Sequence, residues 1–320
     1  MKIRHVLALI GVAGALMHPA AQADAYPDRP LKLVIPFSPG GSTDTFGRFI
    51  ANGLSSELGQ SVVVENKPGA GGNIGADMVA KSKADGYTLL LAQDSLSIVP
   101  YLYRGLPFDV FKDFKSISIG VYMPMVLIAS NKVPAQNTAD LLALAKQDPG
   151  KLSYGSPGVG TAHHLNFESL LKQTGTQMIH IPYKGSSLMM TDIVSGNVDV
   201  GFSAISTALG LIESGKAKAL AVAASERSPI LPNVPTLSEA VPGYTANVWF
   251  GLSAPAGTPD QVVERLAKAM KSYLDKPASR TQLEGLGYRV DVSSPSGMDK
   301  IMRDEYAKWG ELLKTVTITN

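Results

Sequence analysis

The chain has 320 residues, enough for one large domain or two of ordinary size, and its 45% hydrophobic and 18% charged content excludes a disordered chain. Lys and Arg number 29 against 27 Asp and Glu, a net charge of +2 that argues against a nucleic-acid binder, which needs a concentrated basic face. Cysteine is absent, which removes disulfides, thiol nucleophiles, cysteine metal ligands, iron–sulfur clusters and lipid attachment through an N-terminal Cys. The 31 Gly and 21 Pro follow no repeat period and belong to turns and close-approach loops.

Lys2 and Arg4 precede an apolar run from Val6 to Met17, and two small-x-small sites follow, Ala21-Gln22-Ala23 and Ala23-Asp24-Ala25. The run is well short of the roughly 20 residues of a spanning helix, so residues 1–23 are expected to be a secretory signal peptide cleaved after Ala23 or Ala25. The mature protein is expected to be exported, soluble and not lipid-anchored.

From there strands and helices alternate. Leu31–Ile35 is a short apolar strand, Pro36–Thr43 a Gly/Pro/Ser loop, and Asp44–Leu58 an amphipathic helix closed by Gly59. Val62–Val64 is the next strand, Pro68–Gly72 a second glycine loop, Asn73–Lys81 a helix and Tyr87–Ala92 a third strand. This βαβαβ rhythm predicts a parallel sheet with helices on its faces and right-handed crossovers. The rhythm restarts with strand Val126–Ala129, helix Thr138–Gln147, strand Leu152–Tyr154, helix Thr161–Lys172, strand Ile179–Ile181, helix Ser187–Ser195, strand Val198–Phe202, helix Ser206–Ser214 and strand Ala219–Ala223. A second open α/β unit therefore fits Tyr122 to about Val248.

After the apolar stretch Trp249–Ala254, Thr258-Pro259-Asp260-Gln261 reads as a helix start with Thr as N-cap, and Ser296–Leu313 is a final helix. With no sheet of their own, these tail helices are expected to pack on the first unit. The first domain is then residues 26–121 plus 249–320, the second 122–248, and the two crossings form a hinge.

The glycine loops are the candidate site. Pro36–Asp44 ends a strand and opens a helix; Gly40 and Gly41 let backbone approach a ligand, and a helix start favours an anion such as a carboxylate. Ser42 and Thr43 would add hydroxyls, and Asp44 would tie the loop or hold a water; an ordinary capped βα turn explains the same residues. Gly155-Ser156-Pro157-Gly158-Val159-Gly160-Thr161 repeats the design in the second unit, and ligands of open α/β sheets collect at the carboxyl ends of strands. Two such loops on facing walls suit a ligand with a carboxylate at each end.

Around them, Gln93, Asp94 and Ser95 follow a strand and can reach the cleft or simply form a capped turn. Tyr183 and Lys184 follow another strand, with Lys184 either at a carboxylate or in solvent, and Ser203 ends a third. Beyond the signal segment three His remain; adjacent His163 and His164 point to different helix faces and do not share a metal easily, and His164 is either a donor to ligand or loop or a packing residue. Gly69–Gly72 lacks the third glycine of a dinucleotide fingerprint, Gly150-Lys151-Leu152 lacks the hydroxyl of a P-loop, and no Gly-x-Ser-x-Gly elbow is present. Gly69–Gly72 more plausibly serves helix–strand packing than the cleft. No cofactor, metal or catalytic residue is expected.

Several stretches together resemble the substrate-binding receptors of tripartite tricarboxylate transporters, the Bug receptor family. They are Tyr26–Pro30 running into Pro36–Asp44, Glu65–Gly72, Asp85–Leu89, Tyr154–Gly160 with His164-Leu165, Pro182–Gly185, Pro235–Glu239 and Ala254–Pro259, in order along nearly the whole mature chain. The resemblance implies an α/β protein of the type II periplasmic binding fold, with two open lobes joined by a two-strand hinge that close on a small organic acid, delivered to the integral-membrane permease subunits of such a transporter. It implies that the loops Phe37, Ser38, Gly40, Gly41, Ser42, Thr43, Asp44 and Ser156, Gly158, Gly160, Thr161 hold the carboxylate, partly through ordered waters. Many members carry Asp where Ser203 follows Phe202 here, a departure that bears on the ligand. The expected protein is a periplasmic, monomeric receptor without enzymatic activity or nucleic-acid partner. A secreted α/β hydrolase of carboxylic esters using Ser42 or Ser156, and a sensor module presenting its ligand state to a membrane kinase, are the alternatives.

Overall fold

The computed structural model describes residues 26–103, 105–224 and 226–314; residues 1–23, expected to be a signal peptide, lie outside them. Three parallel strands, β1 (Leu31–Ile35), β2 (Val62–Asn66) and β3 (Thr88–Gln93), stand in the order β2-β1-β3. They are connected by α1 (Ser42–Leu58) and, through a tight turn at Ala70–Gly72, by α2 (Asn73–Ala80). β3 is near-continuously apolar, as a strand covered on both faces must be.

The sheet continues through β9 (Asn247–Pro255), antiparallel to β3, and then β4 (Phe114–Ala129), antiparallel to β9. β4 is 16 residues long and changes partners along its length. From Phe114 to Pro124 it pairs with β9, and at Val121 and Tyr122 also with β10 (Arg289–Val290). From Met125 to Ala129 its neighbours are β7 (Val200–Ala204) and β8 (Lys218–Val222). β5 (Ser153–Ser156) lies beyond β7, and β6 (Ile179–Pro182) beyond β5, all parallel. The sheet thus has a first half around β1, β3 and β9, a second around β5, β7 and β8, and β4 in both. Pro124 sits where the partners change, a position that tolerates a residue with no N–H to give.

The second half carries α4 (Thr138–Gln147), α5 (Ala162–Thr174), α6 (Ser186–Ser195), α7 (Ile205–Glu213) and a single turn, α8 (Leu237–Ala240). The tail packs on the first half. α9 (Asp260–Leu274) lies on α1, where Gly53 leaves room for the Tyr273 ring; a Cβ at 53 would stand 2.0 Å from that ring. α11 (Pro295–Leu313) covers α3 (Ser95–Leu102), with Tyr306 stacked on Tyr101 at 4.4 Å, and α10 (Pro277–Gly285) joins the two tail helices.

Five features depart from the sequence expectation. α3 covers a stretch to which no element was assigned beyond a capped turn at Gln93–Ser95 as one of two readings; Pro100 stands inside this helix, where a proline ordinarily breaks the pattern. The first part of β4, with Pro124 inside it, and the short elements α10 and β10 were not expected at all. Thr258 is not the cap of α9: its hydroxyl donates to Pro255 O at 2.7 Å, and Pro259 occupies the N-cap position.

Candidate functional site

The strand ends place three helix starts against one another. After β1 the chain turns at Gly40, whose φ of +87° is open to glycine but strained for other residues, and Gly41 becomes the N-cap of α1. No side chain caps this helix. Asp44 instead ties the loop from within. Its carboxylate accepts from Gly40 N (3.0 Å), Arg48 Nε (2.9 Å) and Asn66 Nδ2 (2.9 Å), while Asn66 also donates to Phe37 O (3.0 Å). Burial alone would raise the Asp44 carboxyl; the hydrogen bonds from Arg48, Asn66 and Gly40 outweigh it and hold the group below its ordinary range.

The second glycine loop is tied by its own hydroxyls. Thr161 caps α5 and donates to Gly158 O (2.9 Å). Ser156 Oγ donates to Gly158 O (3.0 Å), accepts from Gly158 N and lies 2.7 Å from His180 Nε2. His164 Nδ1 accepts from Gly160 N (3.1 Å), and its ring stacks on His180 at 3.8 Å. Burial pulls the His164 imidazole down to about 3, with His180 adding to the effect, and burial pulls His180 down to about 4, so both rings are neutral at physiological pH.

Between the helix starts lies a cavity of about 10 Å³. One wall is Phe37, Ser38, Gly41, Thr43 and Gln93; the other is Pro157, His163 and Ser186. Thr43 Oγ1 donates to Gln93 Oε1 at 2.9 Å. Ser42 Oγ is buried without a partner among the described residues. None of the eight lining residues is charged. The positive character of the site comes from α1, α5 and α6, whose first-turn N–H groups lack intrahelical acceptors and carry partial positive charge. Such a site accepts a carboxylate without a Lys or Arg.

The two halves touch around this cavity. Ser38 donates to Lys184 O from both N (3.3 Å) and Oγ (2.7 Å), Ser187 Oγ donates to Pro39 O (3.0 Å), and Tyr103 OH to Val159 O (3.1 Å). Tyr288 OH donates to Ser42 O (2.9 Å) and accepts from Ser206 Oγ of α7 (3.2 Å). Gly71 lies against Val159 O, where a Cβ would come within 2.6 Å of the carbonyl oxygen, and Gly158 faces Gly71. The Gly69–Gly72 loop therefore meets the other half as well as packing on its own, where Gly72 lies against Phe37 and Pro36.

Of the residues singled out from sequence, Phe37, Ser38, Gly41, Thr43 and Gln93 line the cavity. Gly40 and Asp44 shape the first loop, and Ser156, Gly158, Gly160, Thr161 and His164 the second. Asp94 and Ser95 start α3, and the Asp94 carboxyl is buried where burial and the nearby Glu305 raise it. Tyr183 OH donates to Asp192 (2.6 Å), Lys184 offers its carbonyl while its side chain is exposed, and Ser203 Oγ donates to Ala204 O (3.2 Å) inside β7. The lining residues passed over are Pro157, Ser186 and His163. On α5 both 163–167–170 and 164–167–171 read as apolar-facing stripes, so the helical period does not separate the two His. What separates them is His180, 16 residues further on and visible only in the fold.

The profile described as Tripartite tricarboxylate transporter family receptor matches residues 46–318. The chain belongs to this receptor family. Protein BugT of Bordetella pertussis is 35% identical to it over 319 residues, 98% of each chain. The structure of R. palustris Rpa4515 with adipate superposes on this receptor with a TM-score of 0.88 and 35% identity, over 91% of this chain and 98% of the other. MatC from Rhodopseudomonas palustris with bound malate gives 0.85 and 31%, over 90% and 100%. The mixed sheet and its flanking helices are those of the type II periplasmic binding fold, as the resemblance implied. The family and these neighbours are solute receptors, not enzymes, which sets the hydrolase alternative aside. The geometry agrees: Ser156, although beside a His, is fully buried, and its hydroxyl is engaged within its own loop. Among the described residues no helix is long and apolar enough to cross a membrane.

Proposed function

We propose that this receptor works in the periplasm, capturing a small organic acid between two lobes, residues 26–121 with 249–320 and residues 122–248, and delivering it to the membrane subunits of a tripartite tricarboxylate-type permease. The observation that carries the reading is the convergence of α1, α5 and α6, from both halves, on one small cavity without charged lining. Backbone amides there are fixed donors for a carboxylate, and closing the halves removes the water that would compete with them. The adipate of Rpa4515 and the malate of MatC support the ligand class.

A cavity of about 10 Å³ has room for about one water, whereas one that takes benzene is on the order of 150 Å³. A bound acid therefore needs more space than this state leaves, and binding is coupled to movement of the walls. The signal peptide, the monomeric state and the permease partner belong to the same reading.

The test is thermal unfolding of the mature protein with adipate, malate, succinate, butyrate and benzoate at matched ionic strength. A ligand at 100 times its Kd stabilises by about 2.7 kcal/mol. Stabilisation by at least one acid, with no chemical change in it, is expected; no shift with any of them would refute the reading.

A further inference from the structure

His163 stands in the first turn of α5 and lines the cavity from the second half. It is 4% exposed, and neither ring nitrogen has a hydrogen-bond partner among the described residues. The polar groups around it are differently placed: Thr43 and Gln93 on the opposite wall hold each other, and His164, next in sequence, is engaged by Gly160 N and His180. A buried imidazole with no partner costs stability, and an apolar residue of similar size would avoid that cost. Such a cost at a cavity wall is the mark of a group waiting for a ligand.

The place of the ring says which part of the ligand it meets. The start of α1 is on one wall, and His163 is on the other, beside the starts of α5 and α6. Both walls favour negative charge. Burial holds the His163 imidazole down to about 4, so at neutral pH it offers one N–H and adds no charge. Resting on the receptor reading above, we propose that His163 selects for a second carboxyl group: one carboxylate of the ligand lies on the start of α1, and the other accepts a hydrogen bond from the His163 imidazole. A monocarboxylic acid of the same chain length leaves the ring unmet, and a site built to hydrogen-bond a group rejects the analogue that lacks it.

The experiment is titration calorimetry with two matched pairs, adipate with hexanoate and succinate with butyrate, on the wild type, His163→Leu and His163→Gln. In at least one pair the wild type is expected to bind the diacid at least about tenfold more tightly than the monoacid. His163→Leu should bring that ratio below about threefold, and His163→Gln, which keeps a donor, should recover part of it. Without ligand, His163→Leu should unfold at the wild-type temperature or above it. If that variant does not fold, ring ¹⁵N spectra of the wild type decide, with the His163 signals moving on addition of the diacid and not the monoacid. Wild-type protein that binds no acid overturns the receptor reading and this inference together. Wild-type protein that binds acids without preferring the diacid, a His163→Leu variant that keeps the wild-type ratio, or unmoved His163 signals in the bound protein overturn this inference alone.

Discussion

Replacing Glu305 by Gln should stabilise the protein above pH 7 and leave it nearly unchanged at pH 4.5. Glu305, on α11, accepts from Trp249 Nε1 at 2.8 Å and lies near the buried Asp94 at the start of α3. Burial pushes the Glu305 carboxyl up from 4.5 to about 7, and the Trp249 hydrogen bond and Lys308 offset only part of this. Asp94 is raised as well, by burial first and then by Glu305. The folded state therefore keeps protons that the unfolded chain releases, and stability falls as pH rises from 4.5 through 7. A rise from 4.5 to about 7 corresponds to up to about 3 kcal/mol from Glu305 alone. Gln keeps an acceptor for Trp249 and has no proton to lose. Urea unfolding followed by tryptophan fluorescence at pH 4.5, 6 and 8 measures the difference, and comparing two proteins at each pH cancels groups common to both, such as Asp44. The wild type should lose stability across this range and Glu305→Gln much less, the residue being Asp94's share. Parallel pH profiles for the two proteins would refute the claim that the fold penalises this charge.

Gly71→Ala puts a methyl within 2.6 Å of Val159 O across the cleft, so small-angle scattering of the ligand-free variant should show a larger radius of gyration than the wild type. The left-handed φ of +65° at 71 should also cost about 1 kcal/mol of stability. Asp44→Ala removes the anchor of Gly40, Arg48 and Asn66 and should cost about 2 kcal/mol in chemical unfolding. It should also weaken acid binding in calorimetry, although Asp44 does not line the cavity. Tyr288→Phe deletes the hydroxyl between Ser42 O and Ser206 Oγ and should lower stability by about 1–2 kcal/mol by the same assay.

The alternation of strands and helices was legible because each element carries its own local signal. Glycine and proline punctuate the loops, and apolar period marks α1 and α9. The same local reading failed at β4, where Pro124 breaks the pattern at the one point where a missing N–H is tolerated by the change of neighbours. It failed at α3, whose Pro100 stands in a short helix covered by α11. At the site, the first loop was legible through Phe37–Thr43, since glycines ahead of a helix start imply bare amides. Asp94 and His164 were placed near the cleft by sequence position alone, and what each of them touches is set by long-range partners that no local pattern shows. Asp94 lies near Glu305, more than 200 residues away, and His164 is held by His180.

The sharing of β4 sets how the molecule comes apart. Residues 114–124 complete one half of the sheet and residues 125–129 the other, so a cut anywhere in this strand leaves both fragments with exposed, unpaired backbone. Neither half expressed alone should fold, and heating should melt the protein in one transition.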